Sequence, residues 1–304
     1  MRRYLPVLDV GPWVRRAFAV GLAALAVTAC SSSQPLAPGT RSVVSAPARV
    51  AHTSLGAVGY RVVGSGPPLV LIMGYGWTME DWDPRLVHAL ALHHRVVMFD
   101  NSGVGRTQDL PQPFSIDAMA DQTSALIDTL GLGRPDVLGW SMGGMIAQAL
   151  AVLHPAQVRH LVLCATYPGS GQTVMPPVAD LQTASDFPAN QASARNAFKA
   201  AISEYPPAPA ASAGTKGIQD LAMSDWQTGS DTAGRETARI SAPTLIADGT
   251  SDQLDPVAND STLARIIPGS RLVLYPDAGH AFLFQDWTAF AALVNSFLAG
   301  NPGS

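Results

Sequence analysis

Short apolar runs and longer segments of helical spacing alternate along most of the chain. The runs Leu69–Met73, RVVMFD, PDVLGW and VRHLVLCA are each bounded by Gly, Pro or polar residues. Between two of them, SIDAMADQTSALIDTLGL opens with a serine that suits a helix N-cap and continues with apolar residues at helical spacing. Continuous apolar strands that alternate with helices are typical of a parallel sheet covered on both faces. The pattern predicts an α/β fold with a mostly parallel sheet.

The alternation is interrupted between residues 166 and 240 and then resumes with APTLIADG, SRLVLYP and the closing segment DWTAFAALVNSFL. The pattern therefore predicts a core of residues 53–165 and 241–300, with residues 166–240 inserted over the sheet as a cap. Large apolar residues of the cap either shape a ligand pocket or pack the cap on the sheet, and the sequence leaves both possibilities open. These residues are Tyr167, Met175, Phe187, Phe198, Met223 and Trp226.

The N-terminal segment has the layout of an export signal. Arg15 and Arg16 precede AFAVGLAALAVTA, an uncharged stretch that is too short to span a bilayer comfortably. VTAC, ending at Cys30, resembles a bacterial lipobox, and RRAFAV resembles a twin-arginine signal, although Arg2-Arg3 offers a competing pair. We expect a signal peptide over residues 1–29, lipid on Cys30 and a flexible Ser/Pro/Ala-rich tether over residues 30–52. The protein would then be anchored on the outer side of the cytoplasmic membrane or elsewhere in the cell envelope. The alternative interpretation is a buried N-terminal helix.

Composition and charge narrow the classes of function. The 304 residues are 47% hydrophobic and carry a formal net charge of −4. Without residues 1–29 the chain has 15 basic and 22 acidic residues, which argues against a nucleic-acid partner. The cysteines are Cys30 and Cys164, so lipid on Cys30 leaves no disulfide, and no Cys/His spacing suits a zinc ion. The sequence predicts no metal and no cofactor.

DVLGWSMGGMIA, from Asp136 to Ala147, places Ser141 between two glycines where a strand passes into a helix. Small residues on either side let the chain turn sharply without clashes, which would expose the serine hydroxyl. The N-terminus of the following helix favours developing negative charge. Tight-turn packing alone would also place glycines here, but the strand–turn–helix context favours a nucleophile.

A general base and an acid are predicted from two further strand ends. His280 lies in YPDAGHAFLF, in a Gly-containing loop after the last strand. LIADGTSDQLDP supplies Asp248, Asp252 and Asp255 beyond another strand. Asp252 lies in the loop between the other two and is the favoured acid, which would orient the imidazole and stabilise its cation.

Serine, aspartate and histidine in this chain order are expected of α/β-hydrolases. MFDNSGVGRT resembles that family's Asp-x-Arg-Gly-x-Gly-x-Ser loop, and DAGHAFLFQDWTAF resembles its histidine segment. The sequence thus resembles an α/β-hydrolase-fold serine hydrolase over Ala57–Thr166 and Ser241–Leu298. Met73 stands where the family often has histidine, and Ser102 where it often has arginine.

The resemblance implies a residue for each role. Ser141 is the expected nucleophile, Asp252 the acid and His280 the base. The main-chain N–H groups of Tyr75, in the Gly-rich turn LIMGYGW, and of Met142 are the expected oxyanion hole. The expected substrate is a small or medium apolar ester or lactone. Perhydrolysis or acyl transfer by the same triad, and a non-catalytic binding lipoprotein on this fold, are the alternatives.

Overall fold

The computed structural model describes residues 38–169, 171–176 and 184–300. The predicted signal peptide and the predicted lipidation site, Cys30, lie outside these residues. Within the described part of the chain, no helix has both the length and the apolar character needed to cross a bilayer.

The eight strands of the described residues form one sheet in the order β1-β2-β4-β3-β5-β6-β7-β8. They are β1 Arg49–Thr53, β2 Gly56–Val63, β3 Pro68–Ile72, β4 Arg95–Phe99, β5 Asp136–Trp140, β6 Leu161–Cys164, β7 Thr244–Gly249 and β8 Arg271–Tyr275. β1 pairs antiparallel with β2, and β2 antiparallel with β4, whereas all pairs from β4 to β8 are parallel. The prediction of a mostly parallel sheet is confirmed.

The α-helices of the described residues connect these strands. They are α1 Pro38–Val44, α2 Pro84–Ala91, α3 Ile116–Thr129, α4 Met142–Leu153, α5 Ala192–Ile202, α6 Ala213–Thr228, α7 Thr232–Arg235, α8 Ala258–Ile266, α9 Phe282–Gln285 and α10 Trp287–Leu298. Ser115 caps α3 as predicted, because its hydroxyl accepts a hydrogen bond from the Ala118 N–H at 3.1 Å.

Each face of the sheet packs against its own set of helices because side chains alternate along a strand. In β3, Val70 and Ile72 join the apolar cluster that contains α3 and α4. Leu69 and Leu71 join the cluster on the other face, with α2, α9 and α10. Because these helices cover the faces of the sheet, the carboxyl ends of the parallel strands are left to loops and the cap, which is where ligands bind in open α/β sheets.

The fold begins earlier than the sequence predicted. Residues 38–52, expected to be part of a flexible tether, instead form α1 and most of β1. Arg49 pairs with Tyr60 and Thr53 with Gly56, so β1 and β2 form an antiparallel hairpin. The strand RVAHT has only one buried side chain, Ala51, because it is the edge of the sheet, and its apolar pattern is too weak to be recognised.

The predicted cap contains α5, α6 and α7. Its six large apolar residues divide between the two roles that the sequence left open. Phe187, Phe198 and Trp226 are buried and pack the cap onto the sheet. Tyr167, Met175 and Met223 line a cavity next to Ser141.

Candidate active site

The turn between β5 and α4 holds Ser141 in an unusual backbone conformation. Its φ is 57° and its ψ is −125°, so a non-glycine residue occupies a region that L-amino acids rarely adopt. Such a conformation costs on the order of 1–3 kcal/mol and persists where the surroundings enforce it. Here the turn lifts the hydroxyl clear of the sheet at the N-terminus of α4.

The glycines around Ser141 are required by close backbone approach. A Cβ added to Gly139 would lie 2.2 Å from the carbonyl oxygen of Gly143. A Cβ added to Gly143 would lie 2.1 Å from the carbonyl oxygen of Ile72, at the end of β3. Both distances are far below van der Waals contact, so any side chain at either position would force the turn between β5 and α4 apart.

Ser141, His280 and Asp252 form one chain of hydrogen bonds. The Ser141 Oγ lies 2.9 Å from His280 Nε2, and His280 Nδ1 lies 2.7 Å from Asp252 Oδ2. The other Asp252 oxygen accepts from the main-chain N–H groups of Leu254 at 2.7 Å and Asp255 at 2.9 Å, which fix the carboxylate. The structure therefore brings together the three side chains that the sequence placed at separate strand ends.

The surroundings of His280 set its protonation. The imidazole is 4% exposed, and this burial lowers its pKa. The Asp252 carboxylate opposes burial through its charge and its hydrogen bond, and Asp186 and Asp260 add smaller effects of the same sign. Together they outweigh burial, so the net pKa of His280 is raised. The Trp140 indole N–H also donates to the His280 carbonyl oxygen at 2.9 Å, which holds the loop.

Of the two predicted oxyanion-hole residues, one follows Ser141 in the chain and the other lies beyond the neighbouring strand β3. Met142 is the first residue of α4, and Tyr75 follows Gly74 just beyond β3. A Cβ added to Gly74 would lie 3.2 Å from the Ser141 Cβ, so the backbone that follows β3 contacts the turn that holds Ser141. The oxyanion role of the two amides stays a prediction.

A cavity of about 410 Å³ opens beside the Ser141 and His280 side chains. Its walls come from the loops after β3, β5, β6, β7 and β8 and from the cap. The lining residues are Tyr75, Trp77, Trp140, Ser141, Tyr167, Met175, Asp186, Asp220, Met223, Ser224, Gln227, Leu254 and His280. This size suits a small or medium ligand.

The family model for the alpha/beta hydrolase fold matches residues 67–286. The chain belongs to the α/β-hydrolase fold family. A Neisseria meningitidis pimeloyl-[acyl-carrier protein] methyl ester esterase is 34% identical, over 76% of this chain and 93% of its own length. The Mycobacterium tuberculosis protein BpoC, whose name describes it as a non-heme bromoperoxidase, is 31% identical, over 78% of this chain and 95% of its own length.

Among solved structures, the enol-lactonase from Burkholderia xenovorans LB400 superimposes with a TM-score of 0.68 and 25% identity. The match covers 83% of this chain and all of the lactonase. These similarities support a hydrolase on this fold.

Sequence reasoning missed two carboxylates in the cavity of this α/β-hydrolase, Asp186 and Asp220. For Asp220 a signal exists, because Asp220, Met223, Ser224 and Gln227 have the i, i+3, i+4, i+7 spacing of one face of α6. Asp186 lies outside the helices and strands, and its place in the wall depends on the contact of its carbonyl oxygen with the Ala281 N–H, at 2.8 Å. No local pattern predicts that contact.

Three further carboxyl groups lie buried near Asp252. Asp248, Asp255 and Asp260 are each 0% exposed, and one ligand atom from each lies within 4.8 Å of the others. That spacing could suit a hard cation such as Ca²⁺. Burial and then the neighbouring carboxylates raise the pKa of Asp248 and Asp255 well above the usual value. No other described donor reaches the Asp260 oxygens, so a proton shared among the carboxyl groups would satisfy them.

Asp260→Asn is expected to raise the free energy of unfolding by up to ~4 kcal/mol at alkaline pH. Burial raises the pKa of Asp260 from 3.8 to about 7, so the folded protein retains a proton that the unfolded chain releases. The contribution of protonated Asp260 to the free energy of unfolding is then fully present below pH 3.8 and is lost as the pH rises to about 7. The asparagine amide does not ionise, so this loss does not occur in the variant. The stability that the substitution adds should therefore be small near pH 4 and reach its maximum above pH 7.

Urea unfolding at both pH values measures this gain. Glu204→Gln, which removes an exposed carboxyl group, should show no comparable pH-dependent gain. An Asp260→Asn variant less stable than wild type at both pH values would contradict proton retention.

Proposed function

We propose that the protein is a serine hydrolase that cleaves a carboxylic ester or a lactone through an acyl-enzyme intermediate. The observation that carries the proposal is the continuous hydrogen-bond chain from the Ser141 hydroxyl through His280 to Asp252. Ser141 would be the nucleophile, His280 the general base and Asp252 the group that orients and stabilises the imidazolium.

The proposed reaction uses each group in turn. His280 Nε2 takes the Ser141 proton while Oγ attacks the ester carbonyl, and the Tyr75 and Met142 N–H groups stabilise the oxyanion. The intermediate collapses, the C–O bond to the alcohol breaks, and the imidazolium returns the proton to the leaving oxygen. Water, deprotonated by His280, then attacks the acyl-enzyme and releases the acid and free Ser141.

The relatives support an ester or lactone as the substrate class. One is named for cleaving a methyl ester and a solved neighbour is an enol-lactonase. The bromoperoxidase name of another relative favours one alternative, in which hydrogen peroxide or an alcohol replaces water in the second step. The complete hydrogen-bond chain argues against a non-catalytic binding protein.

Labelling with a fluorophosphonate probe tests the proposal. The probe phosphonylates an activated serine, so wild type should be labelled on the Ser141 peptide and Ser141→Ala should not be labelled. Folded wild-type protein that stays unlabelled, or equal labelling of Ser141→Ala, would overturn the proposed nucleophile. Product analysis with water, peroxide and alcohol acceptors then separates hydrolysis from the alternatives.

We also propose export and a lipid anchor at Cys30, supported by the sequence VTAC and the uncharged stretch before it. The same labelling on fractionated cells tests it with Cys30→Ala as the matched variant. The labelled wild-type band should be in the envelope membrane fraction, and the Cys30→Ala band should leave that fraction. Identical fractionation of the two proteins would contradict the anchor.

A further inference from the structure

The cavity beside Ser141 carries negative charge on its wall. The cap contributes Asp186 and Asp220, and among the lining residues that the structure describes there is no Lys or Arg. Neither carboxylate takes part in an ion pair with a described basic side chain. Lys216 lies one helical turn before Asp220, but its Cε is directed at Gly76, where an added Cβ would lie 2.9 Å away. Within the part of the chain that the structure describes, neither carboxylate therefore has a basic side chain at ion-pair distance.

The rest of the cavity wall is rich in aromatic rings. Tyr75, Trp77, Trp140 and Tyr167 all line it. Trp77 and Trp140 contact each other edge to face, with ring centroids 5.0 Å apart, which fixes both rings. The faces of such rings attract cations, and a group of aromatic rings is a recurring way to bind quaternary ammonium groups.

Both carboxylates are tied to the reaction centre. The Asp186 main chain accepts a hydrogen bond from Ala281, next to His280, and the Asp186 charge acts on the imidazole. The Asp220 carboxylate accepts from the Tyr75 hydroxyl at 3.1 Å. A ligand in contact with these carboxylates is therefore in the cavity where the acyl group must react, and not at a remote surface.

We propose that the ester cleaved here carries a positively charged ammonium group, which Asp186 and Asp220 hold against the aromatic walls. The inference rests on the proposed hydrolase function and specifies its substrate class. It differs from the expectation of a small or medium apolar ester or lactone. The aromatic rings would also bind an apolar group. A neutral ligand, however, would remove water from the two carboxylates without pairing with their charge, which costs binding free energy.

Butyrylcholine and 3,3-dimethylbutyl butyrate test the inference, because they differ only in a positively charged nitrogen against a neutral carbon. The wild-type kcat/KM should be at least tenfold higher for the choline ester. The Asp186→Asn/Asp220→Asn double variant should reduce this ratio at least fivefold. Asp225→Asn, which removes one carboxylate from α6, the helix of Asp220, but outside the cavity, should leave the ratio unchanged.

Protection from the fluorophosphonate extends the test to binding alone. Choline should slow labelling of the wild type at a concentration at least tenfold lower than 3,3-dimethylbutanol does. Asp186→Asn should also move the acid limb of the pH profile to lower pH, because it removes a negative charge that raises the pKa of His280.

The two possible failures can be told apart. Labelled enzyme with equal kcat/KM for the two esters, or equal protection by the two alcohols, would overturn the ammonium inference and leave the hydrolase intact. Folded protein that is neither labelled nor active would overturn the proposed function, and this inference with it.

Discussion

Replacing either Ser141 or His280 by alanine is expected to lower kcat about 10⁶-fold, and replacing both should cost scarcely more. The reason is that Oγ and Nε2, 2.9 Å apart, act in the proposed mechanism as a single nucleophile–base unit. Without the base, the hydroxyl keeps its proton, and without the hydroxyl, the base has no proton to take. The activity that remains should come from binding and the proposed oxyanion amides.

Steady-state hydrolysis of a p-nitrophenyl ester by the two single variants and the double variant measures this coupling. His154→Ala is the matched control, since His154 contacts Asp121 on the surface and lies outside the cavity. It should retain wild-type kcat. A double variant whose loss equals the product of the two single losses would show that the residues act independently and would contradict the proposed unit.

The proposed nucleophile and base could be predicted because their signals are local. A strand, a glycine pair and a helix are consecutive in the chain around Ser141, and the close approaches that require Gly139 and Gly143 are made by that turn and the neighbouring strand. The parallel sheet follows equally from apolar runs of strand length. The contact between Ser141 and His280, 139 residues apart, was inferred from a general rule that strand ends meet at one edge of the sheet.

Features that depend on contacts between residues far apart in the chain were not predicted from the sequence. Residues 49–53 have little apolar pattern and form a strand because β2 supplies partners for them. Asp186 reaches the cavity through a contact with Ala281, almost a hundred residues later. The residues that line the pocket are therefore harder to predict than the position of Ser141, since cap residues reach the pocket only when the cap packs over the sheet.

The structure also distinguishes the three aspartates around the end of β7. Asp248 is part of β7 and the other two follow the strand, and the sequence favoured Asp252 because it lies in the loop between Asp248 and Asp255. In the structure Asp252 contacts His280, whereas Asp248 and Asp255 point into the buried carboxyl cluster with Asp260. These side-chain directions depend on a turn in which the Asp252 N–H donates to the Gly249 carbonyl oxygen at 3.1 Å.

Asp252→Asn is therefore expected to lower kcat about 10⁴-fold while leaving the fold intact. The amide oxygen can still accept from the Leu254 and Asp255 N–H groups, so the loop keeps its shape. The amide NH₂ then faces His280 Nδ1, which must become an acceptor. The imidazole proton moves to Nε2, where it points at the Ser141 hydroxyl and prevents the ring from acting as a base.

Asp255→Asn is the matched control for this variant. Burial and then the neighbouring carboxylates raise the pKa of Asp255 well above its usual value, which favours the neutral carboxyl group, and an amide is a close substitute for that form. Its kcat should stay within about threefold of wild type, with thermal melting showing that both variants are folded. If Asp255→Asn loses activity and Asp252→Asn retains it, the orienting acid is Asp255, and the hydrogen bond between Asp252 and His280 has no catalytic role.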